Sequence, residues 1–357
     1  MKIAPIIDAL KATPHEAVLV HTGQHYDDQM SGAFFGDLDI PAPDFNLNVG
    51  SASHAVQTAR IMEAFEPVLL EVRPAWVVVV GDVNSTLACA LVAAKLKESL
   101  GCRIAHVEAG LRSADWRMPE EVNRVLTDRI SDLLFLPSRD ARANLIREGI
   151  PEERMVFVGN VMIDTLFRNL PRARSLEVPA SLGLEKGKYV ISTVHRPSNV
   201  DSPDGLRALL EGLALVAERM PVVLPIHPRT RNAAASLGLN GLLTNLRITE
   251  PLGYLKMLSL TDSAAVALTD SGGIQEETTA LGIPCVTLRE QTERPITVLE
   301  GTNQLAQWPL TAEGIMRSFE SASARGRSAD GGRRPEGWDG RAASRIVEQL
   351  TMVTHQA

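Results

Sequence analysis

Two carboxylates stand where a carboxylate is costly. Asp82 closes the apolar run AWVVVVGD (75–82), and Glu108 lies at the end of CRIAHVEAG (102–110). A charge at the end of a strongly apolar strand needs a partner or a task. Two more, Glu120 and Glu121, follow Pro119 in RMPEEVNRV (117–125), with Arg124 four residues after Glu120. That pattern is also sound design for a solvated helix end, with proline in the first turn, acids against the dipole and an i,i+4 ion pair. His195 ends YVISTVHR (189–196) and is followed by Arg196, a pair suited to facing a phosphate or sharing a proton. Several carboxylates with histidines are the equipment of proton transfer.

A different chemistry is legible in AAVALTDSGGIQEE (264–277). A short buried strand turns at Asp270-Ser271-Gly272-Gly273 into a helix whose first N–H groups point outward. Glycines admit an anion to the backbone, and the dipole favours negative charge there. The turn reads either as a pyrophosphate cradle or as an ordinary helix start capped by Ser271. Glu276 and Glu277 would repel phosphate unless turned aside, so one of them is expected to meet sugar hydroxyls. His21 and His25 have metal-like spacing, but Gly23 breaks the helix such a site would need, so no metal is expected. No GxGxxG follows a strand, so no bound dinucleotide or other cofactor is expected.

These residues must be held by strands. Apolar runs at 17–21, 75–82, 102–110, 133–138 and 155–160 alternate with helical patterns at 52–65, 85–99, 120–131 and 139–148, after an opening helix at 1–11. A second series runs through 189–196, 222–227, 264–273 and 284–288, with helices near 203–219, 253–261 and 274–281. Continuous apolar strands separated by helices indicate α/β architecture with parallel sheets covered on both faces. The mixed stretch 170–188 marks a boundary, giving domains 1–170 and 171–340, with a last helix over 341–352. The Gly/Ser/Arg-rich stretch 321–340 is expected to be an exposed loop. Ligands of open parallel sheets bind beyond the carboxyl ends of the strands. Gln24, His25, Asp82, Glu108, Arg112, His195, His227 and Ser271–Gly273 all lie there.

The 357 residues carry a net charge of -7, with 45% hydrophobic and 22% charged residues. That balance argues against a nucleic-acid binder. Cys89, Cys102 and Cys285 sit in apolar surroundings without paired spacing and read as reduced core residues. No apolar run of about 18 residues marks a membrane span, and no signal peptide opens the chain. A cytoplasmic, two-domain enzyme is expected.

Longer motifs sharpen this. HTGQHYDDQM (21–30), GDVNST (81–86), HVEAGLRS (106–113), MPEEVNRVLTD (118–128), GNVMIDTL (159–166), TVHRPSNVD (193–201), PIHPRT (225–230), EPLGYL (250–255), TDSGGIQEE (269–277) and REQTERPITVLEGTN (289–303) run nearly the whole length. Through them the chain resembles the non-hydrolysing UDP-N-acetylglucosamine 2-epimerases. The resemblance implies two Rossmann-like domains of the GT-B type, an active site in the inter-domain cleft, and a final helix (341–357) crossing back to the first domain. It implies epimerisation at C2 of UDP-N-acetylglucosamine, through elimination of UDP to a glycal and readdition. It identifies Asp82, Glu108 and Glu120 as acid/base carboxylates, with Asp82 and Glu120 the leading pair at C2. Arg124 and His195 match active-site residues that bind or polarise the diphosphate. Ser271, Gly272 and Gly273 match the phosphate cradle, and Glu277 the ribose-binding residue. Lys2, Gln24, His25, Arg112 and His227 fall in substrate-binding motifs. A homodimer with a UDP-sugar substrate and no nucleic-acid or membrane partner is expected.

Two departures from the family pattern stand out. The family places a strand and a GTRPE-like loop before the helix matching 1–11. Roughly 10 to 20 further residues, one strand and a loop, are therefore expected upstream. Ser198 replaces a glutamate common in HRPSN (195–199), which marks either a different acetamido sugar, such as a UDP-2,3-diacetamido uronic acid, or lost allosteric control.

Overall fold

The computed structural model describes residues 1–24, 36–328 and 334–354. His25 and most of the motif around it lie outside the described residues. The chain divides into two compact units, Met1–Thr165 with Glu336–Ala357, and Leu166–Pro335.

In the first unit, β3 (Trp76–Val80), β4 (Arg103–Val107), β5 (Leu133–Leu136) and β6 (Met155–Phe157) pair in that order, all parallel. Two short strands before them, β1 (Val20–His21) and β2 (Phe45–Asn46), form a separate parallel pair. Among the described residues, β1 and β3 each have one hydrogen-bonded neighbour. The alternation along β3 decides what packs where. Val77 and Val79 face Ile61, Phe65 and Leu69 of α2 (His54–Val72) and the alanines of α3 (Asn84–Leu100). Val78 and Val80 join the opposite face with Ile6 of α1 (Ala4–Leu10), Val107 and Phe135. Ala88, Ala90 and Ala93 are wholly buried, and their small side chains fit α3 among the sheet and α2. Further on, α4 (Pro119–Ile130), α5 (Arg139–Arg147) and the start of α6 (Val161–Ser175) complete this part of the chain.

The second unit holds a six-stranded parallel sheet. Its strands are β7 (Val190–Thr193), β8 (Val222–Pro225), β9 (Arg247–Thr249), β10 (Val266–Thr269), β11 (Cys285–Thr287) and β12 (Asn303–Leu305). They lie in the order β12-β11-β10-β7-β8-β9. The chain builds outward from β7 in one direction, returns to β10, and builds outward in the other. The order therefore reverses between β7 and β10, where doubly wound sheets leave a crevice. The edge strands β9 and β12 carry arginine, asparagine and glutamine, which hid them from an apolar-run search. The helices α7 (Pro203–Ala217), α8 (Pro228–Ser236), α9 (Tyr254–Ser263), α10 (Gly272–Leu281) and α11 (Ala312–Arg325) cover the sheet.

The stretch expected to be an exposed loop, 321–340, is partly ordered core. Helix α11 runs on to Arg325, because Ile315, Phe319 and Ala322 continue one buried stripe at helical spacing. Trp338 is buried, and its indole Nε1 donates to the Pro137 carbonyl at 3.0 Å. The last helix, α12 (Ala342–Thr354), packs Ile346, Val347 and Leu350 onto the first unit's sheet. Asp164 caps it, accepting from Ala342 N at 3.2 Å and Ala343 N at 2.7 Å. No helix among the described residues is long and apolar enough to cross a membrane. Nor does any group of three or more His, Cys, Asp or Glu among them stand ready to hold a metal ion.

Candidate active site

The parallel register of β3 and β4 sets Val80 opposite Val107, so the turn Gly81-Asp82 and Glu108 leave the sheet side by side. Gly81 N donates to the Val107 carbonyl at 3.0 Å. Gly81 has φ +75°, and a Cβ there would lie 3.1 Å from Lys2 Nζ and 3.4 Å from Glu108 Oε2. Only glycine serves both the backbone angle and the space. Lys2 forms an ion pair with Glu108. Glu108 itself has φ 73°, a left-handed conformation that costs a glutamate on the order of 1–3 kcal/mol. Nearly buried and strained, Glu108 is held by its surroundings against its own preference.

Asp82 has a different cation. Arg124 of α4 donates to Asp82 Oδ2 from Nε at 3.0 Å and from Nη2 at 2.6 Å. Its Nη1 donates at 2.6 Å to Glu121, which is buried and also receives Ser113 N and Ala114 N. Asn123 Nδ2 holds the Asp82 carbonyl at 2.9 Å, with Asn84 and Gln57 behind it. Two carboxylates thus flank one glycine, each against its own cation. The two carboxylates meet different cations, Lys2 beside Glu108 and Arg124 beside Asp82.

The remaining first-unit candidates divide. Glu120, at the start of α4, is half-buried beside Glu121, and no partner for it is found among the described residues. Gln24 Oε1 accepts from Ser85 N at 3.0 Å, fixing the start of α3 beside Asp82. The Arg112 guanidinium is engaged with Glu148 (2.7 Å), Asp128 (2.8 Å) and the Leu111 carbonyl (2.7 Å).

In the second unit, β7 and β10 end together, with Thr269 opposite Thr193 and their hydroxyls hydrogen-bonded. Asp270 follows, fully buried, and accepts from His195 N, Arg196 N and Asn199 Nδ2 at 2.9 to 3.2 Å. Its Oδ1 also lies 3.1 Å from His195 Nδ1, so an exposed imidazole is tethered by one nitrogen and presents the other. Burial pushes the Asp270 carboxyl up, but His195 and these backbone donors outweigh it and hold it below the usual range.

Ser271 stands at the N-cap of α10, yet its side chain caps nothing. The capped-turn reading is not what forms, and the first turn Gly272-Gly273 keeps its dipole end for an anion. Arg294 lies against it, with Nη1 2.9 Å from where a Gly272 Cβ would be. Arg294 also binds Glu276 at 2.7 Å, so that carboxylate is turned aside from the cradle. Buried Glu293 pairs with Arg289 at 2.7 and 2.9 Å, with Arg294 and Arg196 within 3.8 Å. Burial raises the Glu293 carboxyl, and the arginines more than reverse it, holding it far below the usual carboxylate range. Three guanidinium groups, Arg196, Arg289 and Arg294, thus gather around Glu293 and Glu276 near the helix start. The Arg196 Nε is buried without a partner among the described residues.

Glu277 lies one residue on, buried beside the Tyr254 hydroxyl. Burial, together with Glu276 and against the Tyr254 contact, pushes its carboxyl up to about 8. His227 is exposed, with Nδ1 accepting from Arg229 N at 3.2 Å to cap α8.

The sequence profile of the UDP-N-acetylglucosamine 2-epimerase family matches residues 8–351. The chain belongs to that family. It is 45% identical over 313 residues to a UDP-N-acetylglucosamine 2-epimerase of Methanocaldococcus jannaschii, covering 85% of this chain and 84% of that protein. It is 43% identical over 340 residues to the UDP-2,3-diacetamido-2,3-dideoxy-D-glucuronate 2-epimerase of Pseudomonas aeruginosa, covering 93% and 90%. The crystal structure of M. jannaschii UDP-GlcNAc 2-epimerase in complex with UDP-GlcNAc and UDP superposes with a TM-score of 0.88 at 42% identity, covering 98% of this chain and 96% of that one. The fold is the GT-B-like α/β architecture with parallel sheets in each unit.

Within this epimerase-family chain, Asn123, Asp128, Glu293 and Arg294 are buried polar residues that the sequence did not single out, and Glu121 and Asp270, which it did, are buried as well. Their signal was present in the motifs MPEEVNRVLTD, TDSGG and TERP, but which members turn inward depends on helix phase and strand register.

Proposed function

We propose that this enzyme inverts C2 of UDP-N-acetylglucosamine to give UDP-N-acetylmannosamine. The C2 proton is not acidic, since no carbonyl adjoins it. Removing it while the C1–O bond breaks turns the C2–H electron pair into a C1=C2 double bond, and the C1–O pair departs on the β-phosphate of UDP. A proton returned to the other face of C2 and readdition of UDP complete the inversion. Asp82 and Glu108, each beside its own cation, and Glu120 at the start of α4 are the acid/base groups, with Asp82 and Glu120 leading at C2. His195 and Arg124 stabilise the departing diphosphate, Ser271–Gly273 cradle it, and Glu277 takes the ribose hydroxyls. The observation that carries this reading is the pair of carboxylates astride Gly81, each with a separate cation.

Proton NMR with UDP-N-acetylglucosamine in deuterated water tests it. Deuterium at C2 together with UDP-N-acetylmannosamine is the expected result. Product without deuterium, or free sugar in its place, overturns it. A second reading, epimerisation of a UDP-diacetamido uronic acid, is favoured by the 93% of the chain covered by the P. aeruginosa relative. The same experiment with that substrate decides between them by relative kcat/KM. The working form is proposed to be a cytoplasmic homodimer, the compartment supported by three buried, unbridged cysteines and the dimer by the family resemblance alone.

A further inference from the structure

His106 is wholly buried on β4, on the strand face below the Gly81 turn, and both of its ring nitrogens are engaged. Nε2 lies 2.8 Å from the Gly81 carbonyl oxygen, which can only accept. Nδ1 lies 2.6 Å from Asp128 Oδ1. Asp128 is buried on α4, and its other oxygen receives Gly110 N at 3.0 Å and Arg112 at 2.8 Å. Burial pushes the Asp128 carboxyl up, but His106 and Arg112 outweigh it and hold it below the usual range, so it accepts from all three. Nε2 thus faces a carbonyl and Nδ1 a carboxylate.

This chain of contacts links the loops that matter. Gly81 precedes Asp82 and forms the floor against Glu108 and Lys2, while Gly110 follows Glu108 by two residues. At Gly110, with φ +80°, a Cβ would lie 2.8 Å from the Ala141 carbonyl, so that loop has no room to drift. The Gly81 peptide has its N–H on Val107 and its carbonyl on His106, so both of its handles are held by β4. We propose that His106 is a positioning residue for the epimerisation. Through the Gly81 carbonyl it fixes where Asp82 points, and Asp128 fixes the ring while anchoring the loop that carries Glu108. A misplacement of about 1 Å at a reacting group can cost on the order of a hundredfold in rate.

The inference rests on the epimerase reading, and two substitutions separate its parts. In His106→Gln the longer amide reaches the Gly81 carbonyl. In His106→Asn the shorter one reaches only Asp128. His106→Asn is expected to lower kcat about a hundredfold with KM within twofold, and His106→Gln to recover most of the loss. Hydrogen–deuterium exchange of the segment 78–86, which needs no activity, is expected to rise in His106→Asn and to stay at the wild-type level in His106→Gln. Equal behaviour of the two variants in exchange and kcat overturns the proposal. Wild type silent on UDP-N-acetylglucosamine, with the exchange difference present, overturns the substrate reading and leaves the positioning role standing. Asp128→Asn covers the case in which His106→Asn does not fold. Its amide nitrogen can donate to His106 Nδ1, the ring then carrying its hydrogen on Nε2 toward the Gly81 carbonyl, while its oxygen keeps Gly110 and Arg112, so kcat within fivefold of wild type is expected. A hundredfold loss there, with the fold intact by circular dichroism, would show that the Asp128 charge itself is required and would overturn a purely positional role.

Discussion

His195 is the exposed member of a pair whose other member, Asp270, no solvent reaches. The tether at Nδ1 leaves Nε2 exposed, and on the proposed role of His195 the direction of the ring then depends on a buried carboxylate. Asp270→Asn keeps an oxygen for the backbone donors but weakens the hold on the ring. It is expected to lower kcat roughly a hundredfold, the low end of what one group stabilising developing charge contributes. UDP affinity, measured by calorimetry, should change less than threefold, and a loss confined to affinity would show that Asp270 serves the cradle alone. Glu277 gives a pH signature. Its carboxyl is pushed up to about 8 from an ordinary value of 4.5, so between these values the folded state holds a proton that the unfolded state has released. The stability it contributes is complete below pH 4.5 and is lost as pH rises through 8. The melting temperature of the wild type should therefore fall between pH 6 and 9 relative to Glu277→Gln, and parallel curves would place Glu277 in water. Which residue in each motif is buried was hard to read from the sequence. Glu120 and Glu121 are neighbours with equal helix-start chemistry, yet Glu121 turns inward to Ser113, Ala114 and Arg124, because successive helical residues point about 100° apart.

At the scale of elements, the strands were legible wherever an apolar run ended in a polar residue, as in β3, β4, β7 and β10. Their register was not, and register is what brings Asp82 level with Glu108 and Thr193 level with Thr269. The short edge strands β9 and β12 escaped because three half-polar residues carry no periodicity. Helix α10 combines both lessons. Its glycine start was visible, but the guanidinium beside it comes from Arg294, which lies beyond the following strand. Gly272→Ala puts a methyl 2.9 Å from Arg294 Nη1, and that arginine is tied to Glu276 at 2.7 Å and stands 3.7 Å from Glu293. The arginine must shift, and the cradle loses its adjacent charge. UDP affinity is expected to drop about tenfold, roughly 1.4 kcal/mol. Unchanged affinity by calorimetry would mean that the diphosphate sits elsewhere.

For the molecule as a whole, the order of the chain and the order of the units differ. The first unit is made from Met1–Thr165 and Glu336–Ala357, whereas Leu166–Pro335 is continuous. The return segment supplies core residues to the first unit. Trp338 is buried with its indole on Pro137, and Ala342, Ile346, Val347 and Leu350 join Ile6, Val107 and Phe135. Burying one such aliphatic side chain is worth about 1.5–3 kcal/mol, comparable in sum to the whole stability of an ordinary domain. A chain ended after Pro335 should therefore lose the first unit's cooperative unfolding while the second keeps its own. Hydrogen exchange would show β3 to β6 unprotected and β7, β8 and β10 protected. On the proposed assignment, UDP binding should persist, because Asp270, Ser271–Gly273, Glu277 and Arg294 all lie in the continuous unit, while turnover should vanish with Asp82 and Glu108 unheld. A milder form, Trp338→Ala, should cost about 3–5 kcal/mol in the first unit's transition alone. If the two units instead lost protection together in either variant, the return segment would not be serving the first unit's core alone.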